Sequence, residues 1–246
     1  MLVSEILPLL PAHITYCEPF FGGGAVFFGK QKSQVEIIND LNQFVVNFYR
    51  QAKDNFEALN DKVQSTPHSR RLYRDAMVMY EHPHLFDNLE RAWAFWILCK
   101  QGWAGKIGSW AFGTVSESCE KKTKNSKTSW ATGDVVNRLD LVQIECTDAL
   151  YLIQLRDRDT TFFYLDPPYF NSNMGHYGGY TERDFELLLQ ICSQMQGKFL
   201  LSSYPSEILD RFTKEFGWHQ VEFGKITNAS QKRKPKTEVL TANYPI

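Results

Sequence analysis

The sequence predicts an α/β fold, a doubly wound Rossmann-like sheet that is interrupted by a mostly helical inserted region. Short runs rich in Val, Ile, Phe, Tyr and Leu alternate with helical patterns along most of the chain. Such alternation is typical of a mainly parallel sheet covered by helices on both faces. A glycine-rich turn directly follows the first apolar run, and a long middle stretch breaks the alternation.

Apolar segments that end at turn signals predict the strands, because strands covered on both faces are enriched in β-branched and aromatic residues. The predicted strands are residues 14–17, 35–38, 142–146, 161–165, 198–203, 219–223 and 237–244. The last two are joined by a basic loop over residues 226–236. We expect this pair to form an antiparallel hairpin at the edge of the sheet.

Two amphipathic helices are predicted between the strands. In residues 41–52, apolar side chains recur at the three- and four-residue spacing of one helical face. Residues 181–196 open with Thr181 and place Asp184 three positions later, which predicts a start of the capping-box type.

The stretch over residues 53–140 does not follow the strand–helix alternation. It begins with helical signals and an aromatic run at residues 91–100, followed by the glycine-rich segment QGWAGKIGSWAFG and a polar, lysine-rich run. We therefore predict that residues 1–52 and 141–246 form one domain. Residues 53–140 are predicted to be an insertion with a small fold of its own.

The first candidate ligand site is the turn EPFFGGGA at residues 18–25, which directly follows the first predicted strand. Its glycines allow the backbone to approach a ligand closely, and in a doubly wound sheet this turn lies at the carboxyl edge where ligands bind. The turn lacks the G-x-G-x-x-G spacing of dinucleotide-binding folds. A Rossmann oxidoreductase is therefore disfavoured.

Asp40 ends the second predicted strand, close to the position at which an acidic residue binds a ribose hydroxyl in related folds. A second interpretation is equally consistent with the spacing. Asp40 or Asn39 could cap the amino terminus of the helix that follows, because both residue types are favoured there.

The third candidate site is Asp166-Pro167-Pro168-Tyr169, which follows the apolar run FFYL. The two prolines stop the strand and fix the backbone beyond it. A carboxylate and backbone carbonyls then offer acceptors for an amino group, and Tyr169 offers a ring for stacking. The alternative is a simple strand terminator, but the agreement between all three signals favours a site.

Taken together, these motifs resemble the Dam-type family of adenine-specific DNA methyltransferases. YCEPFFGGGAVFF is similar to the methyl-donor motif and LDPPYF to the catalytic motif, while KFLLSSY and KPKTEVLTANY resemble later strands. The resemblance implies a methyltransferase sheet that uses S-adenosylmethionine as co-substrate and no metal. Asp40 falls at the donor's ribose and Asp148 at its adenine. The donor-binding residues implied are Glu18, Phe20, Gly22, Gly24, Asp40 and Asp148.

The same resemblance implies a mechanism acting on adenine in double-stranded DNA. The base is flipped out of the duplex because a stacked adenine cannot present its amino group to an enclosed pocket. Tyr169 would stack on the ring, while Asp166 and the Pro167 carbonyl accept hydrogen bonds from N6; Pro168 completes the motif. Methyl transfer is then a direct displacement governed by alignment and electrostatics. Residues 171–180, NSNMGHYGGY, are expected to order over the base.

DNA recognition is assigned to the insertion. Residues 103–110 are similar to the family's DNA-contacting hairpin, which makes Trp103 and Lys106 candidate contacts; an aromatic surface loop is the alternative. The lysines of residues 121–127 and a second basic cluster are candidate phosphate contacts or, alternatively, solvated loops. The second cluster comprises Lys232, Arg233 and Lys234.

One departure from the family concerns the amino terminus. The family has a Gly-Gly-Lys segment whose lysine helps to hold the donor, whereas this chain begins at Met1 with MLVSE, after that position. Either the start of the sequence has been clipped or misassigned, or part of the donor pocket is missing, in which case donor binding is expected to be weakened or activity lost. A catalytically impaired DNA-binding relic is one alternative function, and donor calorimetry separates it from an enzyme. Cytosine-N4 methylation is another, although its members more often carry a serine where Asp166 stands.

Composition sets further bounds. A formal net charge of −1 argues mildly against a DNA-binding domain, which is often strongly basic. The five cysteines are scattered, so neither a disulfide framework nor a zinc site is predicted, and Cys17 and Cys146 are taken as core or pocket residues. No apolar run reaches the roughly 20 residues of a membrane helix. A cytoplasmic protein without a membrane partner is expected, and the sequence indicates no particular protein partner.

Overall fold

The computed structural model describes residues 3–112, 119–170, 179–224 and 237–246. Contacts within the chain divide it into two compact units. The first unit combines Met1–Leu41 with Thr147–Ile246, and the second unit is Asn42–Cys146. The second unit therefore interrupts the first in sequence, as an insertion does.

The described strands, in chain order, are β1 (Thr15–Glu18), β2 (Val35–Asn39), β3 (Gln143–Glu145), β4 (Thr161–Leu165), β5 (Lys198–Ser203), β6 (His219–Gly224) and β7 (Thr237–Ala242). Six of them belong to the first unit, in the order β2-β1-β4-β5-β7-β6. The pairs β1–β2, β1–β4 and β4–β5 are parallel. The pairs β5–β7 and β6–β7 are antiparallel.

The predicted fold class is confirmed. Every predicted strand is observed, with ends that differ by two residues at most, and the last two strands form the expected antiparallel hairpin. Within this hairpin β7 lies inside the sheet, because it also pairs with β5, and β6 forms the edge.

The described helices, in chain order, are α1 (Val3–Ile6), α2 (Ala25–Gly29), α3 (Gln43–Asp54), α4 (Phe56–Ser65), α5 (Arg70–Glu81), α6 (Asn88–Gln101), α7 (Cys119–Ala131), α8 (Asp134–Leu139), α9 (Ala149–Arg156), α10 (Glu182–Cys192) and α11 (Glu207–Phe216). Helix α10 begins with the predicted capping box of Thr181 and Asp184. Helix α3 begins two residues later than predicted, because the Asn42 side chain caps it by accepting from the Phe44 amide (3.0 Å).

Strand β4 lies at the centre of the first unit's core. All five of its residues are buried, and Phe163 and Leu165 belong to a large apolar cluster. Helix α10 contributes Phe185, Leu188 and Leu189 to the same cluster. Burying each such side chain stabilises the fold by roughly 1.5–3 kcal/mol. The ends of the central strands, and the loops that follow them, are consequently held on a rigid base.

The second unit is mainly helical, with α3 to α8 and the short strand β3. Gln101, at the end of α6, is fully buried and supports two chain segments. Its side chain accepts from the Ser69 amide (3.0 Å) and donates to the Pro67 carbonyl (2.9 Å). Its backbone carbonyl accepts from the Ala111 amide (2.8 Å). The start of α5 and the segment around Ala111 are thereby fixed to α6.

The lysine-rich run over residues 121–127 lies on helix α7 and not in a loop, and Lys121, Lys122 and Lys124 are exposed on that helix. Lys127 illustrates why the helix forms there. Its ammonium donates to the Gln64 carbonyl (2.8 Å), and the Gln64 side chain donates back to the Lys127 carbonyl (3.0 Å). Packing against α4 therefore supports a segment whose own apolar pattern is weak.

Candidate active site

The two sequence motifs meet at the point where the strand order reverses. The chain passes from β1 outward to β2, whereas β4 pairs with the opposite side of β1. Cys17 of β1 lies opposite Phe163 of β4, so Glu18 and Asp166 follow at the same carboxyl edge. In open α/β sheets, the crevice at this switch point is where ligands bind.

The glycine turn after β1 has a backbone that requires glycine at two positions. Gly22 and Gly24 have φ values of 48° and 60°, in the left-handed region. The Gly24 amide donates to the Phe21 carbonyl (2.7 Å), and a Cβ on Gly24 would lie 2.3 Å from the Phe21 ring. A Cβ on Gly23 would have no heavy atom within 4 Å, so the turn is open at that position. Phe20 is partly buried against the core.

Asp40 clamps this turn to the end of β2. One of its carboxylate oxygens accepts from the Gly22 amide (2.8 Å), and the Phe21 amide donates to the Asn39 carbonyl (2.9 Å). Asn42 caps α3, so the interpretation of Asp40 or Asn39 as its cap is wrong. Asp40 is 8% exposed and lies beside the glycine turn.

Asn39 joins three segments at the same edge. Its side-chain amide donates to the carbonyls of Pro19 (2.9 Å) and Thr147 (3.1 Å), and its side-chain oxygen accepts from the Thr147 amide (2.9 Å). Thr147 precedes Asp148, an exposed residue that caps α9 by accepting from the Tyr151 amide (2.9 Å). The glycine turn, Asp40 and Asp148 are therefore connected through the buried side-chain amide of Asn39.

Glu18 is a buried acid at the end of β1. It is 2% exposed, and one oxygen accepts from the Tyr16 hydroxyl (2.6 Å). Burial raises the pKa of Glu18 to about 8, and the nearby Asp166 charge adds to this effect against the lowering influence of the Tyr16 hydrogen bond. Near neutral pH the carboxyl of Glu18 therefore carries a proton for most of the time.

The Asp166-Pro167-Pro168-Tyr169 loop begins where β4 ends. Asp166 is exposed, whereas Pro167 is buried. The Tyr169 hydroxyl donates to Asp166 Oδ1 (3.0 Å) and lies within 3.0 Å of Ser202 Oγ. Burial and the Asp166 charge both raise the pKa of Tyr169. The ring of Tyr169 is thus held by its hydroxyl end, while the backbone is fixed by the prolines.

A shallow depression lies beside this loop. Its lining is largely aromatic and comprises Pro168, Tyr169, Phe170, Phe185, Ser203 and Tyr204. The rings of Tyr169 and Tyr204 meet edge to face with centroids 4.5 Å apart. Aromatic walls with a few polar groups suit a planar heterocycle. Sequence reasoning missed Ser203 and Tyr204, although polar residues ending the apolar run KFLL were a signal for them.

In the second unit, Trp103 and Lys106 lie on a short loop that leaves α6. The loop contains one turn of 3₁₀ helix, Trp103–Gly105, and is closed by an antiparallel bridge between Gly102 and Trp110. A Cβ on Gly102 would come within 2.5 Å of two backbone carbonyl oxygens, so this corner requires glycine. Trp103 is 62% exposed. The loop therefore carries an aromatic and a basic side chain that are three positions apart in sequence.

Tyr73 of α5 holds this loop from beneath. Its hydroxyl accepts from the amides of Gly108 (3.0 Å) and Ser109 (3.1 Å) and donates to the Lys106 carbonyl (3.3 Å). Burial raises the pKa of Tyr73. One side chain therefore satisfies three backbone groups and fixes the conformation of the loop.

A stack of rings and one guanidinium continues from the same loop. The Arg70 guanidinium lies 4.7 Å from the Trp110 ring centroid, and the His68 ring stacks on Trp110 with centroids 5.0 Å apart. Phe112 stacks on Trp110 as well and is 58% exposed. The sequence predicted Trp103, Lys106 and the segment that ends at Trp110 as candidate contacts. It did not predict Arg70, because Arg70 comes from helix α5.

Some predicted site residues fall outside the described part of the chain. Lys232, Arg233 and Lys234 do so, as do residues 171–178 of the expected loop over the base. Among the described residues, Cys17, Cys99, Cys146 and Cys192 are not joined in disulfides. The described part of the chain contains no group of three His, Cys, Asp or Glu side chains placed to hold a metal ion, and no helix long and apolar enough to cross a membrane.

The chain is 26% identical over 262 residues to the Type II methyltransferase M1.LlaDCHI of Lactococcus lactis subsp. cremoris, an alignment that covers 99% of this chain and 91% of that protein. Residues 1–223, which include both motif loops, match the family described as D12 class N6 adenine-specific DNA methyltransferase. The chain therefore belongs to the D12 class of N6 adenine-specific DNA methyltransferases and is an enzyme that methylates adenine in DNA.

Proposed function

We propose that methyl transfer takes place in the crevice at the carboxyl ends of β1 and β4. Membership of a methyltransferase family implies S-adenosylmethionine as the co-substrate. The observation that carries the proposal is the position of the glycine turn and of Asp166, which follow neighbouring parallel strands at the switch point of the sheet. A donor on one loop and an acceptor on the other would then face each other across a single strand spacing, about 4.8 Å.

The residues after β1 and β2 fit the donor. Gly23 leaves open space where a side chain would stand, and the left-handed Gly22 and Gly24 shape the turn around it. Asp40 lies beside the turn and is proposed to accept from ribose hydroxyls, and Asp148, at the start of α9, is proposed to accept from the donor's adenine amino group. The proposed donor-binding residues are Glu18, Phe20, Gly22, Gly24, Asp40 and Asp148.

The acceptor is proposed to be an adenine flipped out of double-stranded DNA into the aromatic depression. Tyr169 and Tyr204 of its lining offer ring surfaces, and the Tyr169 hydroxyl donates to the exposed carboxylate of Asp166. Flipping costs a few kcal/mol of unstacking, which stacking on aromatic side chains offsets.

The chemistry asked of the protein is alignment. Asp166 and the Pro167 carbonyl accept the two N6 hydrogens, so the nitrogen lone pair is directed out of the ring plane. When bound, S-adenosylmethionine supplies an electrophilic methyl group on a positively charged sulfur. A carbon–nitrogen bond forms as the carbon–sulfur bond breaks, and the surplus N6 proton leaves, with Asp166 as the nearest acceptor. Pro168 keeps the loop rigid, which favours a near-attack geometry.

Residues 53–140 are proposed to recognise the target sequence. Trp103 and Lys106 lie on the exposed loop of this region, and basic residues would contact phosphates whatever the sequence. Further phosphate contacts are proposed for Lys232, Arg233 and Lys234. The Lactococcus relative is named a Type II methyltransferase, so we assign this chain to restriction–modification as well.

Expression in a host that lacks DNA methylation, followed by single-molecule sequencing, tests the activity and reports the methylated sequence. Asp166→Ala is expected to abolish transfer and to leave DNA affinity nearly unchanged. Asp159→Ala is the matched control, because Asp159 is an exposed carboxylate before the opposite end of β4. Donor binding to the purified protein by calorimetry separates an enzyme from a DNA-binding relic. Full transfer by the Asp166→Ala variant would overturn the proposed site.

A further inference from the structure

A buried acid on the last strand of the sheet contacts the proposed catalytic loop. Glu238 of β7 is 5% exposed, and its Oε1 lies 3.2 Å from the Tyr169 hydroxyl. Ser202 of β5 is fully buried and donates to the same Glu238 oxygen (2.7 Å), while its hydroxyl oxygen lies 3.0 Å from the Tyr169 hydroxyl. Neither Glu238 nor Ser202 belongs to the glycine turn after β1 or to the Asp-Pro-Pro-Tyr motif.

The strand register explains how a residue so distant in sequence reaches this loop. Leu165, the last residue of β4, pairs with Leu201 of β5, so Ser202 lies level with Asp166. Strand β7 runs antiparallel to β5, and Ser203 pairs with Val239, so the neighbouring Glu238 lies at the same carboxyl edge. The contact is therefore a consequence of the sheet order β4-β5-β7.

Counting protons shows how the hydroxyl of Tyr169 is fixed. Four close oxygen–oxygen contacts join Tyr169, Ser202, Glu238 and Asp166, and each of the two hydroxyl groups among them has one proton to donate. The Tyr164 hydroxyl is hydrogen-bonded to Ser202 as well. The shortest contact takes the Ser202 proton to Glu238, which leaves the Ser202 oxygen as an acceptor. The Tyr169 proton is thus shared between Asp166 on one side and Ser202 and Glu238 of the sheet on the other. These acceptors together determine the position of the Tyr169 hydroxyl.

We infer that Glu238 and Ser202 are positioning residues that fix the Tyr169 hydroxyl and, through it, the direction of the Asp166 carboxylate. This inference rests on the proposed catalytic site. Asp166 is exposed, and the Tyr169 hydroxyl donates to its Oδ1 (3.0 Å), a contact that favours one orientation of the carboxylate. A buried carboxyl group is stabilised by hydrogen bonds, and Glu238 Oε1 accepts from the hydroxyls of both Ser202 and Tyr169.

The first experiment compares steady-state methylation by Glu238→Leu, Glu238→Gln and Ser202→Ala with that of the unchanged enzyme, on DNA that carries the sequenced target site. Glu238→Leu is expected to lower kcat on the order of 100-fold, because a displacement of about 1 Å at a reacting group has effects of this size. KM for DNA and for the donor should change less than about threefold, since neither ligand is contacted. Glu238→Gln retains an acceptor oxygen and should recover most of the loss. Glu222→Gln, an exposed carboxylate on β6, is the control.

The second experiment asks whether Glu238 acts through Tyr169. In the Tyr169→Phe background, Glu238→Leu should add less than about a threefold further loss, because residues coupled through one hydroxyl are strongly non-additive. Losses that multiply fully would show an independent structural effect and overturn the inference. Equal kcat for Glu238→Leu and the unchanged enzyme would also overturn it, provided Asp166→Ala is inactive. If Asp166→Ala is active instead, the proposed site has failed, and the two failures remain distinguishable.

A readout without activity keeps the inference testable for poorly active variants. Tyrosine labelled with carbon-13 at Cζ reports the hydrogen bonding of each hydroxyl, and the Tyr169 resonance is assigned by its absence in Tyr169→Phe. We expect this resonance to move in Ser202→Ala and Glu238→Leu and to stay in place in Glu222→Gln. An unmoved resonance in both network variants would show that neither residue fixes the hydroxyl.

Discussion

Replacing the buried acid of β1, Glu18→Gln, should change how the stability of this enzyme depends on pH. The pKa of Glu18 is raised from 4.5 to about 8, chiefly by burial. Between these two values the folded protein therefore binds one more proton than the unfolded chain. The free energy of unfolding falls as pH rises wherever the folded state holds the extra proton, so the contribution of Glu18 is complete below pH 4.5 and lost as pH approaches 8.

The size of the effect follows from one proton. The slope is about −1.4 kcal/mol per pH unit inside this window. Between roughly pH 5.5 and 7.5 the free energy of unfolding of the unchanged protein should fall by about 3 kcal/mol more than that of the variant. Glutamine keeps an oxygen that can accept from the Tyr16 hydroxyl, so the native contact of 2.6 Å is preserved while the titration is removed.

Urea unfolding of both proteins, without ligands, at closely spaced pH values measures the difference directly. Other titrating groups, including His13, whose pKa burial lowers, are common to both proteins and cancel in the comparison. The variant should be the more stable protein at pH 7.5, and the two curves should converge toward acid pH. Parallel pH profiles would show that Glu18 does not carry a raised pKa and would refute the reasoning.

Three further predictions concern the supports of the two units. Gly24→Ala should lower the free energy of unfolding in urea by at least about 1–2 kcal/mol, the cost of a left-handed non-glycine residue. Gly23→Ala should change the free energy of unfolding by less than about 0.5 kcal/mol. Similar losses in the two variants would contradict the turn geometry. Tyr73→Phe should weaken duplex DNA binding about tenfold in fluorescence anisotropy, because three backbone groups of the Trp103 loop lose their partner; unchanged affinity would exclude this loop from the interface. Asn39→Ala should lower the free energy of unfolding by about 2–4 kcal/mol, because three hydrogen bonds are lost. Its affinity for S-adenosylmethionine, measured by calorimetry, should fall as well. Donor affinity equal to that of the unchanged protein would count against Asn39 as the residue that connects the glycine turn with Asp148.

The elements that sequence predicted best are those whose residues have a single possible environment. The run TFFYL in β4 is apolar without alternation, and all five residues are buried. Thr181 and Asp184 are local partners, so the start of α10 followed from spacing alone. Helix α7 was not predicted, because its helical conformation depends on contacts such as that between Lys127 and Gln64, which are 63 residues apart.

The candidate site likewise contains residues whose placement the sequence predicted and residues whose placement it did not. Glu18 and Asp166 each follow a strand end, and a parallel sheet brings such ends to one edge, so their placement was predictable. Ser202 and Glu238 lie 33 and 69 residues from Tyr169, and their contact requires the strand order and an antiparallel β7. No local pattern encodes that order.

The enzyme has a net charge of −1 and acts on a polyanion, so the position of its acidic residues matters for DNA binding. Glu18, Asp40, Asp148, Asp166 and Glu238 all lie at or next to the carboxyl ends of strands. Such an edge favours a donor with a positive sulfonium but repels phosphates, so we expect basic residues elsewhere, such as the lysines of α7, to attract DNA. The proton on Glu18 removes one negative charge from the edge near neutral pH. DNA affinity should therefore fall steeply with salt, whereas affinity for a donor that binds among these partly buried carboxylates, as proposed, should fall much less.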